Sequence, residues 1–497
     1  MGKESFAWIL LSLYAGVTAY LAYRGYRRTR GVEGFAVGNR DIPPVLVGLS
    51  LAAQLTSVAT FIVNPGLVHA YGMSALVGMG IAAALGIMVG ITVLSKGFRR
   101  SGQKMAILTL PGWFGSRFNS RPLQVGFALL SLALISFVVL ILVAMAYVLM
   151  KMLGVPAWAA LAGIITFVFG YVLLGGVNTS LYTNSIQAVI MAVVAVILVL
   201  SGLPLLLSGD FMARLAAVDS ALVGLVNPSS PYFRNLFEVL VCNFIVGLAI
   251  VCQPHIVTKA LCLKSEGDVN RYLATALGMG ILFMMVMLVG LYARVTLPGP
   301  VRIDLVVPTY INTQFSPLTS VLIGIGVLCA GVSTLEGLLL ALSAILASDL
   351  FLPMLRRRMP ASDAAAQGRV ALALARGGLV LMGGVAFFLS LHQMKNPTGG
   401  SVAIFAQYGI YCLFSASFAP VLFGLFHRES SGRAAMAAAL TAVAVYVGLS
   451  LLRPFALANN PAVLSTCAIL SSTLVMGACA LLQRRAPAVL QGSLPSA

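Results

Sequence analysis

The chain has 497 residues, of which 60% are hydrophobic and 9% charged, and its formal net charge is +18. Soluble domains carry about 25% charged residues, so this composition excludes an ordinary soluble protein. Nucleic-acid binding is not expected either, because the Lys and Arg residues cluster between apolar segments and form no basic helix. The sequence therefore predicts an all-α membrane protein whose main partner is the lipid bilayer.

Apolar stretches of about 20 residues, the length that crosses a bilayer as a helix, recur along the whole chain. They predict thirteen membrane-spanning helices at 6–23, 44–70, 74–95, 123–150, 157–175, 184–207, 235–256, 272–293, 317–348, 371–391, 402–426, 434–452 and 460–482. The polar breaks between these helices are short. We therefore expect residues 1–497 to form a single transmembrane domain.

The Lys and Arg residues predict how the chain is oriented. Most of them fall in alternate breaks between the helices, at 24–44, 96–122, 257–271, 350–376, 427–433 and after 482. Because Lys and Arg are retained on the cytoplasmic side, the N-terminus is expected outside and the C-terminus in the cytoplasm. The remaining inner break, 176–183, has no basic residue, and its Asn, Thr and Ser residues predict a tight turn followed by helix-capping residues.

Two predicted helices contain residues that interrupt a helix. The helix at 44–70 carries Asn64-Pro65-Gly66, and the helix at 235–256 ends in Cys252-Gln253-Pro254-His255. Secondary transporters often contain inverted repeats that place interrupted helices in corresponding positions, and these two helices lie five apart. We therefore expect the helix at 44–70 to unwind and to offer free backbone carbonyls.

A polar cluster lies in the middle of the apolar helix at 317–348. Ala330, Ser333 and Thr334 are three and four residues apart and so share one helical face. Two hydroxyls on one face, together with carbonyls from an unwound neighbour, would supply the oxygens that a dehydrated sodium ion needs. The alternative is that both hydroxyls donate to carbonyls of their own helix. The spacing alone leaves both interpretations open.

Glu336 lies two residues beyond this cluster. An acid inside a bilayer is costly, so it must face a cavity or a partner, and such residues are functional candidates by default. A purely structural pairing with a backbone group or a basic residue is the alternative.

Two further sets of polar residues are candidates for contact with a solute. Gln54, Thr56, Ser57 and Thr60 lie in the first interrupted helix, and a polar, aromatic stripe lies in the helix at 402–426, at Gln407, Tyr408 and Tyr411. Single Ser and Thr residues often serve only helix packing, and Tyr is ordinary at a membrane boundary.

Together these motifs resemble the solute:sodium symporter family. Five segments carry the resemblance, in the family's order: Phe35–Arg40, with Asn39 in place of a glycine of the family's Gly-Gly-Arg segment; Gly175–Met191; Gln253–Ile256, similar to the proline and pantothenate branch; Ser333-Thr334 with Ser348-Asp349-Leu350; and Phe414–Pro420.

The resemblance implies a LeuT-type fold with two inverted five-helix repeats. The extra first helix would be 6–23, the first repeat 44–207, the second repeat 235–426, and two C-terminal helices would follow at 434–482. The repeats would move around a site at the middle of the membrane.

The resemblance also assigns a sodium site. Its ligands would be the backbone oxygens of Ala53, Thr56 and Ala330 and the hydroxyls of Ser333 and Thr334. Solute contacts would come from Gln54, Ser57, Thr60, Gln407, Tyr408 and Tyr411. The chain departs from the family at Asn184, where the family has an aspartate, and at Leu55, where proline transporters have an acid. Glu336 is an extra acid that would either restore a negative charge near the ion or take a proton.

The expected function is a sodium-coupled symporter that imports a small polar organic solute, such as an amino acid or a monocarboxylate, across the inner membrane of a prokaryote. No enzyme activity and no cofactor beyond Na⁺ as coupling ion are expected. The seven cysteines lack the spacing of a transition-metal site. Proton coupling through Glu336 and a membrane sensor that keeps the transporter fold are the alternatives. The sequence predicts no oligomeric state.

Overall fold

The computed structural model describes residues 2–28, 42–105, 107–356, 358, 364–398, 401–427 and 429–485. The main helices are α1 (Lys3–Gly25), α2a (Pro44–Leu55), α2b (Ala59–Tyr71), α3 (Met73–Ser101), α4 (Leu110–Arg117), α5 (Arg121–Leu153), α6 (Ala157–Val172), α7 (Gly176–Leu207), α8 (Phe211–Val218), α9a (Phe237–Ile250), α9b (Pro254–Cys262), α10 (Asp268–Thr296), α11 (Val306–Gln314), α12 (Pro317–Leu355), α13 (Ala366–Lys395), α14 (Val402–Phe426), α15 (Gly432–Leu452) and α16 (Pro461–Leu482). Within these ranges there is no β-strand. The segment Phe35–Arg40, which resembles a family motif, lies outside the described residues.

The number of apolar helices in the structure is close to the number that the hydrophobic pattern predicts. Among the described residues, ten helices are long and apolar enough to cross a membrane, and the bent pairs α2a–α2b and α9a–α9b bring the number to twelve. Helix α6 is a shorter apolar helix at the place of the remaining predicted span. The chain is a multi-pass membrane protein, while the count of thirteen, the repeat boundaries and the orientation of the termini stay predictions.

The helices differ in how much of their surface the protein covers. Helices α5, α12 and α14 are the most buried, and α1 and α13 are mostly exposed. Helix α12 packs against α2a, α5 and α7. A helix that is apolar on all sides fits such a central position, so its few polar side chains lie inside the protein.

The connection between α6 and α7 differs from the prediction of a turn at 176–183. These residues are helical, and Ser180 and Thr183 are buried. The chain changes course at Gly176 alone, where φ is 69° and ψ is −175°. Glycine adopts this conformation without steric cost, so no longer turn is needed. The polar residues that resembled capping residues therefore face the protein interior.

The break in α2 lies at residues 56–58, before the Asn64-Pro65-Gly66 that predicted it. Helices α2a and α2b meet there at 52°. Thr56 has non-helical φ and ψ of −96° and 80°, and the Ser57 hydroxyl accepts from the Ala59 N–H at 3.1 Å. Pro65 does not break α2b, because the wider π-helical turn at Ala59–Val63 accommodates the missing N–H.

The break in α9 lies where the sequence placed the end of a helix. Gln253 is extended, with ψ of 136°, and Pro254, which has no N–H to bond to the preceding turn, begins α9b at 60° to α9a. The helix then continues to Cys262 instead of ending near 256. Lys259, which the prediction placed in an inner loop, is therefore buried, with 5% of its surface exposed.

Candidate functional site

The polar cluster of α12 meets the broken end of α2a. The Ser333 hydroxyl lies 2.9 Å from the Ala53 carbonyl and 3.1 Å from that of Ala330. The Thr334 hydroxyl lies 3.2 Å from the carbonyls of both Gln54 and Ala330. Each hydroxyl therefore lies near a carbonyl of its own helix and near a carbonyl of α2a. The geometry contains both the contacts within α12 and the contacts between helices that the two interpretations of the sequence predict.

The carbonyls of α2a are available because the helix ends at Leu55. The last four carbonyls of an α-helix lack intrahelical partners, and together they form the negative end of the helix dipole. A cation is favoured at such an end. The break in α2 thus turns ordinary backbone into a cluster of neutral oxygens inside the protein.

The spacing of these oxygens suits a small cation. Oxygen ligands of a hard cation lie about 2.3 to 2.6 Å from it, so neighbouring ligands are about 3 to 3.5 Å apart. Ala53, Ala330, Ser333 and Thr334 contribute oxygens with this spacing. Thr56, whose backbone oxygen is the fifth predicted ligand, is buried in the break. Sodium binding by these five residues stays a prediction.

A second group of polar side chains lies between α2a and α7. The Gln54 and Asn184 amides both donate to the Ser180 hydroxyl, at 3.4 and 3.0 Å, and Asn184 also donates to Ser50 at 3.3 Å. The amide oxygens of Gln54 and Asn184 are buried without a partner in the described part of the chain. Asn184 is therefore linked through the Ser180 hydroxyl to Gln54, and the Gln54 carbonyl in turn lies next to the Thr334 hydroxyl.

Glu336 is held by hydroxyl groups of α6 and α7. Its side chain is 1% exposed, and it accepts from Thr183 at 3.0 Å and from Tyr171 at 3.2 Å. The charge of Lys259 on α9b also acts on it. The predicted need for a partner is met, and Glu336 lies between the polar group of α7 and the second broken helix.

The predicted solute residues fall into two places. Gln54, Ser57 and Thr60 are buried at the break of α2. On α14, the Tyr408 hydroxyl donates to the Asn459 carbonyl between α15 and α16, at 3.1 Å. Gln407 and Tyr411 lie on α14 as well. Among the described residues, no hydrogen bond joins the set at the α2 break to the set on α14. Their role in solute binding stays a prediction.

A narrow cavity lies between the break of α2, α9b and α12. Polar groups from several helices line it, among them Gln54, Ser180, His255 and Lys259. Thr109, at the start of α4, also lines it. The cavity extends from the α2 break toward the end of α12 that precedes the basic loop 350–376, which the charge pattern places in the cytoplasm.

The Ser348-Asp349-Leu350 motif has a structural role near this cavity. The buried Asp349 carboxylate accepts from the Thr109 hydroxyl at 2.6 Å and from the Gln124 amide at 2.7 Å. These contacts tie the end of α12 to α4 and α5. The motif therefore fixes the ends of these helices next to the cavity.

Sequence reasoning missed several residues of this region. Ser180 and Thr183 were interpreted as turn residues, Tyr171 as part of an apolar span, and Lys259 as a charge that marks topology. For Lys259 a signal existed, because it is the only charged residue within the run from His255 to Leu263. Such a charge inside a membrane helix is by default a functional candidate.

A family model described as the sodium:solute symporter family matches residues 35–442. The sodium/pantothenate symporter of Escherichia coli (strain K12) is 26% identical over 463 residues, which cover 89% of this chain and 89% of that protein. The high-affinity proline transporter of Bacillus subtilis (strain 168) is 25% identical over 444 residues, which cover 86% and 88%. These relatives are transporters and not enzymes.

Solved structures are similar in fold. A Na⁺-coupled sialic acid symporter, solved in a substrate-bound outward-open state, has a TM-score of 0.75 at 15% identity and covers 96% of this chain and 98% of its own. A manganese transporter of Eremococcus coleocola has a TM-score of 0.52 at 14% identity, over 89% and 94%. At these identities the likeness shows a LeuT-type fold alone. Since the family model covers most of the sequence, the chain belongs to the sodium:solute symporter family.

Proposed function

We propose that this chain imports a small polar organic solute, an amino acid, a monocarboxylate or a similar compound, by coupling it to inward sodium flow through alternating access. One observation carries the proposal. The Ser333 hydroxyl of α12 lies 2.9 Å from the Ala53 carbonyl at the broken end of α2a, both fully buried. A dry cluster of neutral oxygens at the end of a half-helix suits a small cation.

Coupling follows from the position of this cluster. Sodium bound there would hold the break of α2 against α12, and Ser57 and Thr60 of the same break are the predicted solute contacts. If sodium orders the residues that bind the solute, each ligand raises the affinity of the other by the same factor. The sodium gradient can then drive the transport of the solute.

The names of the relatives support the class of solute. Pantothenate, proline and sialic acid are all small polar compounds that carry a carboxylate. The panel for an uptake experiment should therefore contain these acids together with sugars, other amino acids and short monocarboxylates.

The test is uptake into proteoliposomes, with an inward sodium gradient compared with potassium. We expect one labelled solute of the panel to accumulate only with sodium, and we expect Ser333→Ala/Thr334→Ala to abolish that accumulation. Each hydrogen bond to a charged group contributes about 1.5 to 3 kcal/mol, so the loss of two ligands lowers sodium affinity by roughly 100-fold or more. Thr466→Ala/Ser472→Ala, two buried hydroxyls of α16, is the matched control and should transport normally.

Uptake that survives the Ser333/Thr334 double substitution would show that these hydroxyls do not form the ion site. Proton coupling is the second candidate, because Glu336 is a buried acid within the membrane, and such an acid can take up and release a proton. Uptake with sodium removed at fixed pH, and with pH varied at fixed sodium, separates the two couplings. Glu336→Gln should abolish uptake driven by protons. A sensor would concentrate no solute under either condition.

A further inference from the structure

Lys259 is a buried cation that faces the cavity between the two broken helices. It is 5% exposed and lines the cavity. Within the described residues, its ammonium group has no hydrogen-bond acceptor and no carboxylate within 4.0 Å. A buried charge is costly unless it is paired and hydrogen-bonded, so this arrangement calls for an acceptor that the described part of the chain does not provide.

Glu336 is the acid whose charge acts on Lys259, but it does not fill this role. Its oxygens accept from Thr183 and Tyr171, which belong to the opposite side of the site. The two charges therefore act on each other without a direct contact, while Lys259, which lines the cavity, carries an ammonium group with three N–H donors.

We propose that Lys259 binds the anionic group of the transported solute, and that this solute is a small organic acid with a carboxylate. The inference rests on the proposed function, because it names the substrate class of the same site. Lysine meets an anion as a compact point charge with rotatable donors, which suits a ligand that passes through the cavity. The neutral Gln54 and Ser180 lie in the same wall and leave the Lys259 charge without a competitor there.

Gln54 connects this anion site with the proposed sodium site. Its carbonyl lies 3.2 Å from the Thr334 hydroxyl, and its side chain lines the cavity. An acid held by Lys259 would lie on one side of Gln54 and sodium on the other. Opposite charges so placed attract each other, so each favours binding of the other.

The experiment compares acids with matched uncharged analogues on the purified full-length protein in sodium. The pairs are pantothenate with pantothenyl alcohol, lactate with lactamide, and N-acetylneuraminate with its methyl ester. Binding is measured by thermal stabilisation. We expect at least one acid to bind about 10-fold or more tightly than its analogue, as a charge-assisted hydrogen bond would cause.

Lys259→Met should remove this preference and leave the analogue's affinity unchanged, while Lys259→Arg should keep most of it. Stabilisation by sodium alone should persist in Lys259→Met, which shows that the variant is folded and that its sodium site is intact. Because the readout is binding, it stays interpretable even if uptake proves to be independent of sodium.

Three results would overturn the proposal. The first is that no acid in the panel stabilises the wild-type protein, and the second is that acids and analogues bind equally well. The third is that Lys259→Met/Glu336→Gln regains the preference for acids, because Lys259 would then serve only as the counter-charge of Glu336. Sodium-driven uptake of an uncharged solute, with no preference for acids in binding, would overturn this proposal and leave the proposed function intact.

Discussion

The two broken helices, α2 and α9, bend by similar angles but expose different chemistry at the bend. Helix α2 breaks by 52° and surrounds the bend with neutral groups, of which Ala53, Gln54, Thr56 and Ser57 are buried. Helix α9 breaks by 60° and continues into a half-helix that carries the buried Lys259.

This difference separates what the fold determines from what the residues determine. In α2 the bend is made at Thr56 and Ser57, and in α9 it is made by Pro254. Free backbone carbonyls without a nearby positive charge suit a cation, whereas a positive charge without an acceptor suits an anion. One architecture can therefore hold two ligands of opposite charge, one at each break, because the function lies in the site and not in the fold.

A lysine placed in each break tests the comparison between α2 and α9, and this test has the largest expected effect. Gln54→Lys puts a positive charge beside the proposed sodium site. Two unit charges about 8 Å apart repel by about 2 kcal/mol at an effective dielectric constant of 20, so sodium affinity should fall roughly 30-fold. Gln253→Lys, at an equally buried position of the other break, should change it by less than about threefold. Sodium-dependent thermal stabilisation measures both.

Equal losses of sodium affinity in the two lysine variants would contradict the proposal that the α2 break binds the cation and the α9 break the anion. Gln54→Met, which has the same length and no charge, separates the effect of charge from that of the lost amide. If Gln54→Met weakens sodium binding as much as Gln54→Lys does, the amide itself is a ligand.

Asn184→Asp should have a smaller effect of the opposite sign. The Asn184 amide donates to Ser180 and Ser50, whereas the new carboxylate would accept from these two hydroxyls and would add a negative charge next to Gln54. Electrostatic coupling of about 1 kcal/mol would lower the sodium concentration for half-maximal uptake by roughly fivefold. Asn312→Asp, at an exposed position of α11, is the control and should leave this concentration unchanged. An unchanged or higher value in Asn184→Asp would place the sodium site elsewhere.

Much of the fold could be predicted from the sequence, because the cost of exposing polar backbone to lipid forces apolar helices of about 20 residues. The same cost makes polar residues inside such helices conspicuous. Ser333, Thr334 and Glu336 were found for that reason, and the structure places all three inside the protein.

Features that depend on contacts between distant segments could not be predicted. The break of α2 was expected near Pro65, but a π-helical turn at Ala59–Val63 accommodates the proline, and the bend moves to Thr56. Lys259 was counted with the loop charges, because its burial depends on α9b folding back into the protein after Pro254. Hydrophobicity along the chain records neither a local change of helix type nor the course of a chain after a break.

The halves of the broken helices that the charge pattern places on the outer side, α9a and α2b, are also held in different ways. On α9a, the buried Glu238 pairs with Arg234 at 2.6 Å. Helix α2b instead packs through Gly66 against the Ile303 carbonyl, so closely that a Cβ at Gly66 would lie 2.0 Å from this oxygen. The turn that contains Ile303 is fixed by Asp304, whose carboxylate accepts from the Ser401 hydroxyl at 2.6 Å and the Val402 N–H at 3.3 Å.

The smallest expected effect concerns Asp304, in the connection between α10 and α11. Burial raises the pKa of this carboxyl above its ordinary value. The folded protein therefore binds this proton more tightly than the unfolded chain, so the stabilisation is complete below about pH 4 and is lost as pH rises through the raised pKa. Asp304→Asn keeps the hydrogen-bonding shape without a charge. It should match the wild-type melting temperature at pH 4 and exceed it by about one to three degrees at pH 7.5.

Asp210→Asn is the control with the opposite sign. The Ser208 hydroxyl and Arg214 lower the pKa of this exposed carboxyl, so its ionised form favours the folded state, and the variant should gain nothing at pH 7.5. A melting temperature of Asp304→Asn below that of the wild type at pH 7.5 would mean that the ionised carboxylate stabilises the turn. Both outer halves would then depend on a buried negative charge, and the contrast between α2b and α9a would be restricted to their breaks.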